Sequence, residues 1–174
     1  EIKERVHTVA DDEISRMVAE YEERLRSIES QLNLKTRHIE ENREEIELTR
    51  EIQALWLRAQ QDNGPSSKIV IYDQILKLHP DDVEALTYKA DAVLELNEPQ
   101  WAANLCHQAL VIDPNNGHAF YQLACAYAAL NQKEEAVRFL QSALQVSDSY
   151  RVEMITDPAL DGLRDFEAFR HLIS

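Results

Sequence analysis

An all-α fold is what this sequence predicts, on three observations. A 34-residue pattern is written twice between Val83 and Tyr150, and the chain up to Asn63 holds neither Gly nor Pro. The 174 residues include only 3 Gly and 5 Pro, with 44% apolar and 29% charged residues. That balance suits helices better than sheets.

The first element is a long helix, and residues 1–48 read as a coiled coil. Ile14, Val18, Tyr21, Leu25, Ile28, Leu32, Ile39 and Ile46 recur by alternate steps of four and three, which is a heptad seam. Val18, Leu25, Leu32, Ile39 and Ile46 fall at a. The d places begin with Ile14, Tyr21 and Ile28 and then turn polar at Lys35, Asn42 and Thr49. At about 1.5 Å per residue the helix from Ile14 to Asp62 is a rod of roughly 70 Å. Three arrangements compete for its apolar stripe. A lone helix would leave the stripe in water, and a hairpin near Asn33–Thr36 would need a turn that no Gly or Pro marks. Self-association as a homodimer, parallel or antiparallel, covers the stripe and is the expected arrangement. Upstream, Ile2, Val6 and Val9 are out of phase with the seam, so Thr8 to Asp12 reads as a stutter or break.

The repeated pattern comes next. When residues 83–116 are laid over 117–150, Leu86 falls on Phe120, Ala90 on Ala124, Asn97 on Asn131, Ala102 on Ala136 and Ala109 on Ala143. Each unit holds two helical runs of about 14 residues, with small residues where helices approach closely and Asp113-Pro114 closing the first unit. These features resemble the tetratricopeptide repeat, which implies a right-handed solenoid of helix pairs. The pattern departs at Lys89, where the family prefers Leu, and at Asp148, where it prefers Pro. Counting back one period, residues 49–82 resemble a third, degenerate unit. Ile52, Leu55, Trp56 and Ala59 form its first buried face, and Pro65 with Ser66 and Ser67 starts its second helix. The first helix of that unit is continuous with the coiled coil. Residues 151–174 break the period and resemble the capping helices that close such arrays.

Composition excludes several function classes. Acids outnumber bases 32 to 18, a net charge of −14, so a phosphate backbone would be repelled and nucleic acid is not an expected ligand. No apolar run reaches the length of a membrane span, so no membrane insertion is expected within these residues. Cys106 and Cys125 lie on helix faces and read as small buried thiols, which suits a cytoplasmic location. Neither a P-loop nor a dinucleotide fingerprint occurs, and the three glycines stand apart. His118 and Cys125 lie two turns apart on one helix, too far to share an ion. The sequence therefore predicts no catalytic residue, no metal and no cofactor.

What remains is binding. The resemblance implies that first helices of successive units line a concave groove, placing Leu57, Thr87, Tyr88, Asp91, Leu94, Tyr121, Gln122 and Cys125 along it. A competing reading packs Tyr88 and Tyr121 between helices. The family's best-known groove clamps a C-terminal carboxylate with Lys and Asn. Those residues are missing here, and Asp91 and Glu95 would repel an acidic tail. The expected partner is a protein or peptide, either an amphipathic helix or an extended segment with basic residues. The expected function is a non-enzymatic adaptor that self-associates through its coiled coil. The alternative is a cytosolic assembly or regulatory region of a larger membrane or filament-forming protein.

Overall fold

The computed structural model describes the backbone of residues 2–174 and the side chains of residues 11–174. Helix α1 runs over Ile2–Gln61, followed by α2 (Pro65–Leu78), α3 (Val83–Glu95), α4 (Pro99–Ile112), α5 (Gly117–Ala129) and α6 (Lys133–Val146). The chain ends in α7 (Tyr150–Thr156), a 3-10 helix (Pro158–Leu163) and α8 (Glu167–Ile173). No strand occurs among the described residues. By density of internal contacts the chain forms two units, Glu1–Arg50 and Glu51–Ser174.

The first unit is helical from Ile2 onward. α1 passes Asn33–Thr36 without interruption, so the hairpin is excluded, and it passes Thr8–Asp12 without a break. The side chains of Ile2, Val6 and Val9, on which the phase change was read, lie outside the described residues. The eight seam residues from Ile14 to Ile46 are each 51–66% exposed, so no described residue covers the stripe.

In the second unit the period is visible atom by atom. Asp82 caps α3 by accepting from the Ala85 N–H at 2.9 Å, and Asn116, one period on, caps α5 from the Ala119 N–H at 2.9 Å. Pro65 and Pro99, again 34 residues apart, open α2 and α4, where a missing N–H costs nothing. The serines after Pro65 sit within the first turn of α2 and do not cap it; Ser67 donates to the Gly64 carbonyl. Asn97 and Asn131 take the left-handed conformation, φ 60° and 59°, which turns each first helix into its second. Asparagine tolerates that region better than most residues, which explains why this residue recurs.

The small residues mark the tightest contacts. Ala90, Ala102, Ala109, Ala124, Ala136 and Ala143 are all fully buried, where α3 meets α4 and α5 meets α6. Leu55 and Ala59 of α1 join Ile69, Ile71, Tyr72 and Ile75 of α2 in one core that extends through Val93 and Cys106 to Leu123. A second core holds Tyr121, Leu140, Met154, Leu160, Leu163 and Phe169.

Lys89 occupies a buried place that an apolar side chain would fill. It is 9% exposed, its ammonium lies 2.5 Å from Asp73 Oδ1 and 5.3 Å from the Trp101 ring centroid. Replacing a buried ion by a hydrophobe of similar size is often neutral or stabilising, whereas removing only its partner is not. Lys89→Leu is therefore expected to leave stability unchanged or raise it. Asp73→Ala is expected to lower it by about 1 kcal/mol, the buried-pair loss discounted because Asp73 is half in solvent. Urea denaturation of the two variants checks both signs.

Candidate functional site

The first helices carry one face in common, and aromatic rings tie it together. Trp56 of α1 lies 5.7 Å from Tyr72 of α2 and 5.7 Å from Tyr88 of α3, measured between ring centroids. Tyr72 stacks on Tyr88 at 6.3 Å, and Tyr88 meets the His118 imidazole of α5 at 5.6 Å. Tyr88 remains 41% exposed and Leu57 55% exposed, so this ladder has an open side. Such rings supply a large apolar area at low entropic cost. Beside Tyr88 a recess of about 340 Å³ opens, lined by Val83, Glu84, Thr87, Asn116 and His118 as well.

The carboxylates near this face are Glu84, Asp91 and Glu95. Asp91 Oδ2 lies 3.2 Å from His118 Nε2, while Asp91 Oδ1 is buried without a hydrogen-bond partner. Burial opposes charging of His118, but the Asp91 hydrogen bond and the charges of Asp91, Glu153 and Glu84 outweigh it, and the imidazole pKa is raised above its ordinary 6.5. An imidazole raised in this way gives its full stabilisation below the unfolded pKa and loses it as pH climbs through the folded one. The wild type is therefore expected to lose more stability between about pH 6 and about pH 8.5 than His118→Asn does, as read by thermal melts. Equal losses would mean that the His118–Asp91 contact is too weak to matter.

The structure separates the eight groove candidates into two sets. Leu57, Tyr88, Asp91, Leu94 and Gln122 keep surface in the open, Leu57 and Tyr88 most of it. Thr87, Tyr121 and Cys125 are 2%, 3% and 4% exposed. The Thr87 hydroxyl donates to the Glu84 carbonyl of its own helix at 3.0 Å. Tyr121 and Cys125 are covered by the C-terminal tail. The Tyr121 hydroxyl donates to Asp157 Oδ2 at 2.8 Å, its ring stacks on Tyr150 at 5.6 Å, and Cys125 Sγ lies 4.0 Å from the same carboxylate. For Tyr121 the packed arrangement thus holds; for Tyr88 the ring both packs and faces out. Burial, aided by Asp157, pushes the Tyr121 hydroxyl and the Cys125 thiol well up. Burial, then Asp91, pushes the Cys106 thiol up to about 12. Both free thiols stay protonated and inert near neutral pH.

Sequence reasoning missed His118 and Trp56 as members of this face, and the buried Tyr72 of α2 as the ring that backs it. His118 stands at the second place of its unit, one period after Glu84, and its contact with Asp91 joins different helices 27 residues apart. The aromatic spacing of Trp56, Tyr72 and Tyr88, 16 residues at each step, was the available signal. Among the described residues no group of three or more His, Cys, Asp or Glu side chains is placed to hold a metal ion. Nor is any helix long and apolar enough to cross a membrane.

Residues 93–149 match the model of the tetratricopeptide repeat family. No curated protein matches the chain. Among solved structures, the chain is similar to part of the O-GlcNAc transferase of Thermobaculum terrenum, at 25% identity and TM-score 0.58, over 65% of this chain and 22% of that one. It is similar to the TPR domain of Arabidopsis OM64, at 23% identity and TM-score 0.54, over 59% of this chain and 85% of that one. It is also similar to the second TPR of Spaghetti (RPAP3), solved with the HSP90 peptide SRMEEVD, at 18% identity and TM-score 0.52, over 55% of this chain and 92% of that one. At these identities the likeness is one of fold.

Proposed function

We propose that this chain, which carries tetratricopeptide repeats, is a non-enzymatic protein-interaction module whose aromatic, acidic face holds a segment of another protein. The reading takes residues 49–82, 83–116 and 117–150 as three units, with 151–174 as their cap, in a cytoplasmic protein. Support comes chiefly from one observation: the ladder Trp56–Tyr72–Tyr88–His118 spans three first helices and leaves Tyr88 and Leu57 open to solvent. Glu84, Asp91 and Glu95 flank it. α5 contains no Lys or Arg, and the single cation of α3, Lys89, is turned into its pair with Asp73. Charge complementarity thus favours an amphipathic segment with basic residues along one edge. α1 is read as the oligomerising arm, pairing with a second copy through its uncovered seam.

Peptide capture tests the first half. The probe is a fluorescent amphipathic Leu/Lys helix, and the variant is Leu57→Ala with Tyr88→Ala, both exposed enough to spare the fold. Tyr121→Ala would be a poor choice, since it removes a ring that holds the cap. At least a tenfold loss of affinity, about 1.4 kcal/mol, is expected from the double change. Unaltered binding would move the assignment to the alternative, an assembly region of a larger protein, which draws on the same exposed seam.

A further inference from the structure

The seam of α1 has an uncovered apolar stripe whose second half is interrupted by Lys35, Asn42 and Thr49. We infer that this stripe packs against that of a second copy running in the opposite direction, with Leu25 of each copy over Asn42 of the other. The inference rests on the self-association reading and adds direction and register to it.

Continuity of α1 makes the register calculable, because an unbroken helix carries one heptad phase from Ile14 to Thr49. In a parallel pair each residue meets itself. Lys35 then faces Lys35, Asn42 faces Asn42 and Thr49 faces Thr49 in three successive d layers, and one of these brings two ammonium groups together between apolar neighbours. In an antiparallel pair a faces d. Ile39 then meets Ile28 and Ile46 meets Tyr21, while Leu32, Leu25 and Val18 lie over Lys35, Asn42 and Thr49. Each polar residue gains an aliphatic neighbour, and Lys35 extends its stem so that its charge reaches water.

The surface offers a hole for a knob in either direction, and the direction decides whether that knob is apolar. Ile39, Asn42, Arg43 and Ile46 border a hollow of about 440 Å³ that continues to Glu47 and Arg50. Residues at that spacing form the hole that accepts one knob from a facing helix. The antiparallel knob is Leu25; the parallel knob is Asn42. Flanking charges fit this register without choosing the direction, since a parallel pair would set Arg24 against Glu29 and Glu45 against Arg50. Glu22 falls beside Arg43 of the second copy and Arg24 beside its Glu45, each pair occurring twice by symmetry. The ion pairs these residues make along their own helix, Glu22–Arg26 at 3.7 Å and Arg43–Glu47 at 3.1 Å, are exposed and weak, so they do not compete strongly. Sliding by one heptad in one direction brings Glu29 onto Glu29 and Arg24 onto His38. Sliding the other way requires Val18 to pack on Trp56, whose ring already lies 5.7 Å from those of Tyr72 and Tyr88.

Spin labelling of the whole chain tests this. Glu20 is exposed and lies outside the seam, so Glu20→Cys accepts a nitroxide, while Cys106 and Cys125, 0% and 4% exposed, do not compete for it. Light scattering at micromolar concentration gives the mass, and dipolar spectroscopy gives the separation of the two labels. The antiparallel register predicts about 40 Å, since residue 20 lies opposite residue 47 and each residue adds about 1.5 Å. A dimer with labels about 20 Å apart, the width of two side-by-side helices, would overturn the direction while keeping self-association. A monomer would remove both. Charge exchange checks the register independently. Glu22→Arg is expected to raise the dimer Kd about tenfold, and adding Arg43→Glu to bring it back within about threefold of wild type. In a parallel pair residue 22 faces Met17 and residue 43 faces His38, so no such rescue occurs; a double variant as weak as the single one overturns the register.

Discussion

Phe169→Ala is expected to lower stability by about 3–5 kcal/mol, the usual cost of emptying a buried aromatic site. The ring is 0% exposed and belongs to the core that also holds Met154, Leu160, Leu163 and Tyr121. The effect is expected to spread along a named path. The Arg164 guanidinium lies 5.9 Å from the Phe169 ring centroid and donates to the carbonyls of Met154 and Asp157 at 3.2 and 3.1 Å. Asp157 in turn holds Tyr121 and covers Cys125. Loosening the cap should therefore open Cys125 to a thiol reagent at least tenfold faster, while Cys106 in the other core keeps its protection. Urea denaturation gives the stability, and mass spectrometry after brief alkylation tells the two thiols apart. Both thiols opening together would show that the cap and the solenoid unfold as one, contrary to this path.

A peptide ending in acidic residues is expected not to bind. SRMEEVD is bound by the second TPR of Spaghetti (RPAP3) in its solved structure, and the fold is shared, but the proposed face of this chain is acidic. On the proposed face stand Glu84, Asp91 and Glu95, with no exposed Lys or Arg on α3 or α5 to meet a carboxylate. Like charges at such a site cost several kcal/mol. The affinity of a Leu/Lys helix should exceed that of SRMEEVD at least a hundredfold, about 2.7 kcal/mol, and the ratio should shrink as salt rises. Asp91→Asn with Glu95→Lys should weaken the basic peptide and favour the acidic one. Fluorescence anisotropy with the two peptides measures this; tight binding of SRMEEVD by the wild type would contradict the assignment of charge.

The repeat was legible in the sequence because its physics is local. Asp82 and Asn116 cap and Asn97 and Asn131 turn within a few residues of what they act on, and the buried alanines that let helices meet recur at the same places in each unit. The long helix was legible for the same reason, since a run without Gly or Pro leaves nothing to end it. Burial of Cys125 was expected and packing of Tyr121 was one of two readings, but what covers them was not legible. Their cover arrives 36 and 32 residues later as Asp157, and no period links the tail to α5. Thr87 was placed along the groove but is buried, because its hydroxyl is satisfied by its own helix and a polar residue can then be buried without any distant partner. Lys89 stood out as a departure from the repeat. Its remedy did not, because Asp73 and Trp101 come from α2 and α4 and only packing brings them together.

Chemical-shift mapping with the basic amphipathic peptide puts the account to its most direct test. Backbone amide signals should move at Leu57, Tyr88, Asp91, Leu94, His118 and Gln122, in one contiguous patch, with Val70, Trp101 and Val111 unchanged. Shifts centred on those last three residues, or none at saturating peptide, would show that the aromatic ladder is core packing and not a surface for grasping another chain.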